Sequence, residues 1–340
     1  MKRRVFGPVL LVILCAISAG PAAANTLCVN PAGFLGCYKT ISAAVAAAPP
    51  NALIRVAPGV YKEDVVIGEP LTVVALIPQT AIVDATGLSN GFYIDGFDHK
   101  GLSGVTVSGF VVKNATNEGV LITNASLVTV SGNYLTGNDA GLGSGCPGLQ
   151  AFEVDEAFDC GEGIHLSAVD HSTIADNRVE GNAGGILVSD DSGPTFNNVI
   201  EENSVIGNPF DCGITLASHP SSAYTAGITH NTISGNISDH NGYQEPGAGA
   251  GVGIFSAGPG GEVSGNVIIG NTLTRNGLPG VAFHSHDPFD NLNDNVIADN
   301  HISGNGADTA DAATPGTTGI NVFGATAITG TILTGNVNTG

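Results

Sequence analysis

The chain has 340 residues, with thirty acidic side chains against ten basic ones and a formal net charge of −20. So acidic a surface repels nucleic acid and anionic membrane, and so few Lys and Arg leave little to grip a polyanion unless a bound cation supplies the missing charge. Forty-nine glycines, one Met and no Trp suit a β-rich chain with many tight turns.

Lys2-Arg3-Arg4, an apolar run from Val5 to Ile17 and Pro21-Ala22-Ala23-Ala24 read as a signal peptide cut near Ala24, too short to span a membrane. Cleavage removes Cys15 and three basic residues but no acidic one, which leaves a net charge of about −23. Cys15 follows Val-Ile-Leu and lacks the small residue that a lipoprotein cleavage site places before its cysteine. An exported, secreted or periplasmic monomer without a membrane span is therefore expected. In an oxidising compartment the near neighbours Cys28–Cys37 and Cys146–Cys160 are expected to pair, with Cys212 left as a buried free thiol.

Residues 38–48 form the one convincing helix: Ile41, Val45 and Ala48 share a side, and Pro49-Pro50 stops it. Two strands around a Pro-Gly turn follow, Ile54-Arg-Val-Ala-Pro-Gly-Val-Tyr-Lys-Glu63 and Val65-Val-Ile67.

Beyond them one unit recurs, a glycine before alternating apolar residues: Gly119-Val-Leu-Ile122, Gly163-Ile-His-Leu166, Gly185-Ile-Leu-Val188, Gly213-Ile-Thr-Leu216, Gly253-Ile-Phe-Ser256, Gly280-Val-Ala-Phe283 and Gly319-Ile-Asn-Val322. Between the copies runs Asn-x-apolar-x-x-Asn, at Asn133/Asn138, Asn177/Asn182, Asn203/Asn208, Asn231/Asn236, Asn266/Asn271 and Asn300/Asn305. The nearest glycines, Gly163 and Gly185, are 22 residues apart. A period of that order, built of short strands and polar turns, signals a solenoid in which no single repeat can bury its own apolar face. The repeat runs throughout, so residues 25–340 are one domain, with the helix capping its N-terminal end over 25–50. The final Asn336-Val-Asn-Thr-Gly340 shows no cap.

Alternation assigns the faces. Positions one and three after the glycine point inward, for example Ile164/Leu166 and Ile214/Leu216. Positions two and four, His165/Ser167, Leu187/Ser189, Thr215/Ala217, Phe255/Ala257 and Ala282/His284, are expected to face solvent. The paired asparagines belong at turns, where Asn tolerates left-handed backbone and its amide can bond the coils above and below.

The helix, the segment through Glu63 and Val65-Val-Ile67 resemble the N-terminal cap and first coil of secreted right-handed parallel β-helix proteins, the pectate-lyase-like superfamily, and the Asn units resemble its repeats. The resemblance implies an all-β, right-handed parallel β-helix. Gly59-x-Tyr61-x-Glu63 also matches a short element of pectin methylesterases, one that is common to many β-helices. The paired aspartates, Gly-His-Gly and Arg-Ile-Lys of polygalacturonases are missing. For the arginine base of pectate lyases only Arg178 and Arg275 are available. His286-Asp-Pro-Phe-Asp290 echoes the Asp-Pro-His-Asp element of alginate epimerases without its histidine in place. The exported copper-delivery β-helix proteins of nitrous oxide reductase maturation share the repeat type, but a methionine-rich site is excluded because Met1 is the only methionine.

Stacked coils place equivalent positions about 4.8 Å apart, so distant residues can form one strip. Just past the outward positions the copies read Asp98-His99, Asp170-His171, Asp190-Asp191, His219 and His286-Asp287. The candidate catalytic set is Asp191, Asp211, His219, His284, His286 and Asp287, because a carboxylate beside an imidazole suits proton transfer. His284, His286 and Asp287 are also a workable metal set. Turn residues that merely bond neighbouring coils are the competing explanation. Two long inserts interrupt the period: residues 139–162, whose Glu153, Asp155, Glu156 and Asp159 read as a solvated acidic loop or a Ca²⁺ loop, and residues 237–252, with Asp239, His240 and Glu245, which would wall a cleft over the strip. The sequence names no cofactor; Ca²⁺ is the candidate its acidic turns raise. The expected function is to act on or bind an extracellular polysaccharide or oligosaccharide, with lyase, hydrolase or epimerase chemistry if catalytic. A non-catalytic glycan-binding or structural solenoid and a metal-binding exported accessory protein are the alternatives.

Overall fold

The computed structural model describes residues 25–139, 161–219, 227–244, 249–256, 258–285, 287–308 and 316–339. The expected signal peptide and the Cys146–Cys160 pair lie outside them. Among the described residues every strand pairing is parallel and links one turn of the chain to the next, giving sheets of eleven, ten, nine and three strands that wrap a single right-handed β-helix. Inward residues such as Ile122, Leu166, Val188, Leu216, Ile254 and Phe283 are fully buried in one continuous core.

The glycine at the start of each strand of the nine-stranded sheet other than Val65–Ile67 sits in a tight place. A Cβ on Gly185 would lie 2.0 Å from the carbonyl oxygen of Gly213, the same position on the next coil, and one on Gly119 would lie 2.5 Å from that of Gly163. Close backbone approach, rather than an unusual φ, excludes side chains here. The register also corrects one repeat. Val252 pairs with Ile214 and with Val281, so the ladder glycine of that coil is Gly251 and not Gly253; the shift of two keeps the face parity but puts Gly253 and Phe255 at the outward positions.

The asparagines form three columns rather than one paired unit. Asn198, Asn203 and Asn208 flank the two short strands Val199–Glu201 and Ser204–Ile206, and each aligns with the Asn of the next coil, as in Asn198–Asn231–Asn266–Asn295 and Asn203–Asn236–Asn271–Asn300–Asn336. In each step the Oδ1 accepts both the backbone N–H and the Nδ2–H of the preceding coil's Asn, for example Asn203 N and Nδ2 to Asn236 Oδ1 at 2.9 and 3.0 Å. The left-handed residue at these corners is the one before the Asn, such as Glu202, Gly207, His230 and Gly235. A five-residue spacing is thus three residues of strand plus a two-residue corner.

The capping helix spans Ile41–Ala47, shorter than 38–48 because Thr40 is its N-cap and accepts from Ala43 N. It buries Ile41 and Ala44, with Val45 only partly covered. Glu63 accepts from Ile41 N and Ser42 N at 2.8 Å each, and Tyr61 donates to the Ala57 carbonyl at 2.8 Å. The Gly59-x-Tyr61-x-Glu63 element therefore anchors the cap. Cys28 and Cys37 are bridged. Cys212 is free and buried, and burial pushes its thiol pKa well up.

Candidate functional site

The outer face of the nine-stranded sheet carries two rows set by its register. One reads Tyr93, Leu121, His165, Leu187, Thr215, Gly253, Ala282, Asn321; the other runs Thr123, Ser167, Ser189, Ala217, Phe255, His284. The expectation that these positions face solvent is wrong for most of them: His165 and Leu187 are 0 % exposed and Thr215 is 6 %. They point away from the core but are covered.

Under that cover a charged cluster assembles from four coils. Glu118 and Glu162 precede the ladder glycines Gly119 and Gly163, so register sets them side by side at the corner of the sheet, and Glu118 Oε2 accepts from Gly161 N at 3.1 Å. One ligand atom from each of Glu118, Glu162 and His165 falls within 4.8 Å of the others. His165 Nδ1 lies 3.6 Å from Glu118 Oε1, while its Nε2 lies 2.8 Å from Ser189 Oγ and 3.8 Å from Asp191 Oδ2. The other oxygen of Asp191 is 2.8 Å from His219 Nδ1. Asp190 accepts from His219 N, Ser218 Oγ and Gly227 N, each at 2.7 Å, and desolvation raises its carboxyl pKa against the pull of these bonds. All of these side chains are at least nine-tenths buried.

Further along the same face the rows shrink to Gly253 and Ala282 and leave a pocket of about 170 Å³. Asp211, Cys212, Thr215, Phe255, Leu278 and His284 are among its walls. Thr215 Oγ1 donates to Asp211 at 3.0 Å. His284 Nε2 lies 2.6 Å from Asp308 Oδ2, a fully buried carboxylate.

The six candidate residues thus separate. Asp191 and His219 meet in the buried cluster, and Asp211 and His284 share the pocket. Asp287 lies past the end of the strand Val281–Ser285, half-buried and off the pocket wall; His286 lies outside the described residues. The single strip breaks elsewhere too. Asp170 pairs in register with Ser126 and Phe196 rather than with Asp190, and its bond to His171 is exposed. Of residues 237–252, the first part is a regular coil rather than an insert, because Ile237–Asp239 is a strand and Asn241 continues an Asn column; Asp239 pairs with Arg275, His240 stacks on Tyr243, and Ala250 lines the pocket. Most of 139–162, including Glu153, Asp155, Glu156 and Asp159, lies outside the described residues, as does Glu245. Sequence reasoning missed Glu118 and Glu162, took His165 for a solvent-facing residue, and set Asp190 on the strip without including it in the candidate set. The available signal was a Glu immediately before two repeat glycines, beside a His at an outward position.

Among solved structures the chain is similar to pectate lyase Pel9A, at 15% identity and a TM-score of 0.53 over 83% of this chain and 70% of that one. It is also similar to the tailspike protein of E. coli bacteriophage HK620 in complex with pentasaccharide, at 13% identity and a TM-score of 0.52 over 93% of this chain and 54% of that one. Such identities carry the fold alone, a right-handed parallel β-helix. No curated protein matches the chain. The family profile described as "Periplasmic copper-binding protein (NosD)" matches residues 149–340, more than half of the sequence. The chain belongs to the NosD family of periplasmic copper-binding proteins.

Proposed function

We propose that the protein binds a divalent metal ion at Glu118, Glu162 and His165. The observation that carries this is the convergence, in a buried place, of one ligand atom from each of the three residues within 4.8 Å of one another. Among the described residues, Glu118, Glu162, Asp190 and Asp191 are buried beside His165 and His219, and no described Lys or Arg is buried. Lys113, Arg178 and Arg275 pair with Asp84, Glu180 and Asp239, and Lys39, Arg55, Lys62 and Lys100 are exposed. Buried carboxylates cost several kcal/mol each unless protons or cations compensate them. A divalent ion supplies that compensation.

One imidazole and two carboxylates suit Cu²⁺, which heads the divalent affinity order, as well as Zn²⁺. They do not suit Cu⁺, which favours sulfur; Cys212 is in the other pocket, with its proton held by burial. His165 would offer Nδ1, the nitrogen facing Glu118, while Ser189 and Asp191 hold Nε2 and fix the ring, and His219 in turn steadies Asp191. Protons compete for the same atoms, so affinity falls as pH drops.

Calorimetric titration of the full chain with Cu²⁺ and Zn²⁺ should give one ion per chain, with Glu162→Gln and His165→Asn each weakening binding at least tenfold while the metal-free melting temperature of Glu162→Gln is unchanged or higher. Wild-type protein that takes up neither ion, or variants that bind as well as wild type, would overturn the assignment.

A glycan partner is a second reading, favoured by one observation: Asp211 and His284 line a single pocket that opens on the outer face. Cleavage or retention assays on a polysaccharide panel, with Asp211→Asn as control, test it.

A further inference from the structure

The pocket at Gly253 owes its existence to missing side chains. Its neighbours along the row are Leu187 and Thr215 on one side and Asn321 on the other, whereas Gly253 and Ala282 lie between. A Cβ at Gly253 would stand 3.1 Å from Cys212 Sγ, so any larger residue would fill the space. At about 170 Å³ the hollow is smaller than the roughly 300–1,000 Å³ of drug-sized sites, which restricts it to a compact ligand.

Its walls are chemically lopsided. Ala250, Leu278 and Ala282 form an apolar patch with Cys212, each under a tenth exposed, and Phe255 adds a partly exposed ring. The charged group on the wall is the Asp211 carboxylate, oriented by Thr215. The imidazole of His284 is engaged through Nε2 with the buried Asp308, to which Asn321 also donates at 3.4 Å. Among the described residues no Lys or Arg lines the pocket, and the molecule as a whole is strongly acidic. An anionic ligand is disfavoured on every count. A cation gains from the carboxylate, from the aromatic ring and from the field of the whole protein.

We propose that this pocket binds a compact organic cation, an ammonium group whose N–H or N–CH₃ contacts Asp211 while a small body packs on Phe255, Leu278 and Ala282. Such a group can come from a free amine or from an amino sugar, and in the second case the proposal narrows the glycan reading to amine-bearing residues. It does not use the metal ligands, although Asp211 and Glu162 both flank Gly184.

The test is a titration of the full-length exported protein, followed by ligand-observed NMR at low salt, with choline, glucosamine, glucose and acetate as probes. Choline or glucosamine should bind, and glucose and acetate should not at matched concentration. Binding of choline alone assigns a free amine, and binding of glucosamine assigns an amino sugar. Asp211→Asn should weaken binding at least tenfold and 0.5 M salt should weaken it further. Gly253→Leu should abolish binding by filling the hollow; if it melts early, Asp211→Asn carries the test alone. Glucose binding as well as glucosamine, no probe binding at all, or an Asp211→Asn protein that binds like wild type would each overturn the proposal.

Discussion

The outer face of one sheet carries two very different places. Between Glu118 and His219 it holds four carboxylates and two imidazoles, all covered; between Asp211 and Asp308 it opens into a small apolar hollow with a single carboxylate on its wall. Both stand on the same scaffold, with inward residues every second position, a ladder of glycines at the strand start and Asn columns at the corners. The scaffold fixes spacing and direction and is indifferent to what the outward positions carry. A β-helix can thus host unrelated chemistries on neighbouring coils, because each outward side chain is free of core packing and is constrained by its neighbours in the row and by what covers it.

The comparison breaks most completely if the shared scaffold fails. Ile214 is fully buried beneath the junction of the two places, and Ile214→Asp should cost several kcal/mol, enough to unfold the chain and remove both functions. A folded Ile214→Asp protein in thermal melts would mean that the face assignment is reversed. Thr215→Asp should be damaging too but less so, since it sets a second carboxylate beside Asp211 in a covered position.

An intermediate loss is expected at the corners. Asn236 sits in a column that serves both places, accepting from Asn203 and donating to Asn271 and to the Ile200 carbonyl. Asn236→Ala leaves several of these buried groups without partners, at about 1–3 kcal/mol each, and the drop in melting temperature should be the same with or without metal. A loss seen only in the metal-bound protein would show that the columns serve one region rather than the fold.

The smallest effect sharpens the contrast. Desolvation raises the pKa of Asp190, so the folded state binds a proton that the unfolded chain has already released. This contribution to stability is present below the unfolded carboxyl value and is lost as pH rises through the folded one. Metal-free wild type should therefore gain more from a shift from pH 7 to pH 5 than Asp190→Asn does. Parallel pH profiles for wild type and Asp190→Asn would remove the distinction.

The sequence by itself determined the solenoid, its inward face and its N-terminal cap, because these follow from short-range rules: alternation of two, a glycine at the start of each repeat, and a short amphipathic helix stopped by Pro49-Pro50. It also put Asp191 near His219, since their coils are adjacent. Register was decided only in three dimensions. Gly251 and Gly253 are equally good glycines on paper, and the five-residue Asn spacing fits either of two neighbouring column pairs, so the order of side chains along the outer rows stayed open. Burial of those rows was hidden for a related reason: alternation says which way a side chain points, and only the packed structure says whether something lies over it. Hence His165 read as a surface residue while the fold places it beside Glu118 and Glu162, and Asp211, His219, His284 and Asp287 read as one strip while the register divides them.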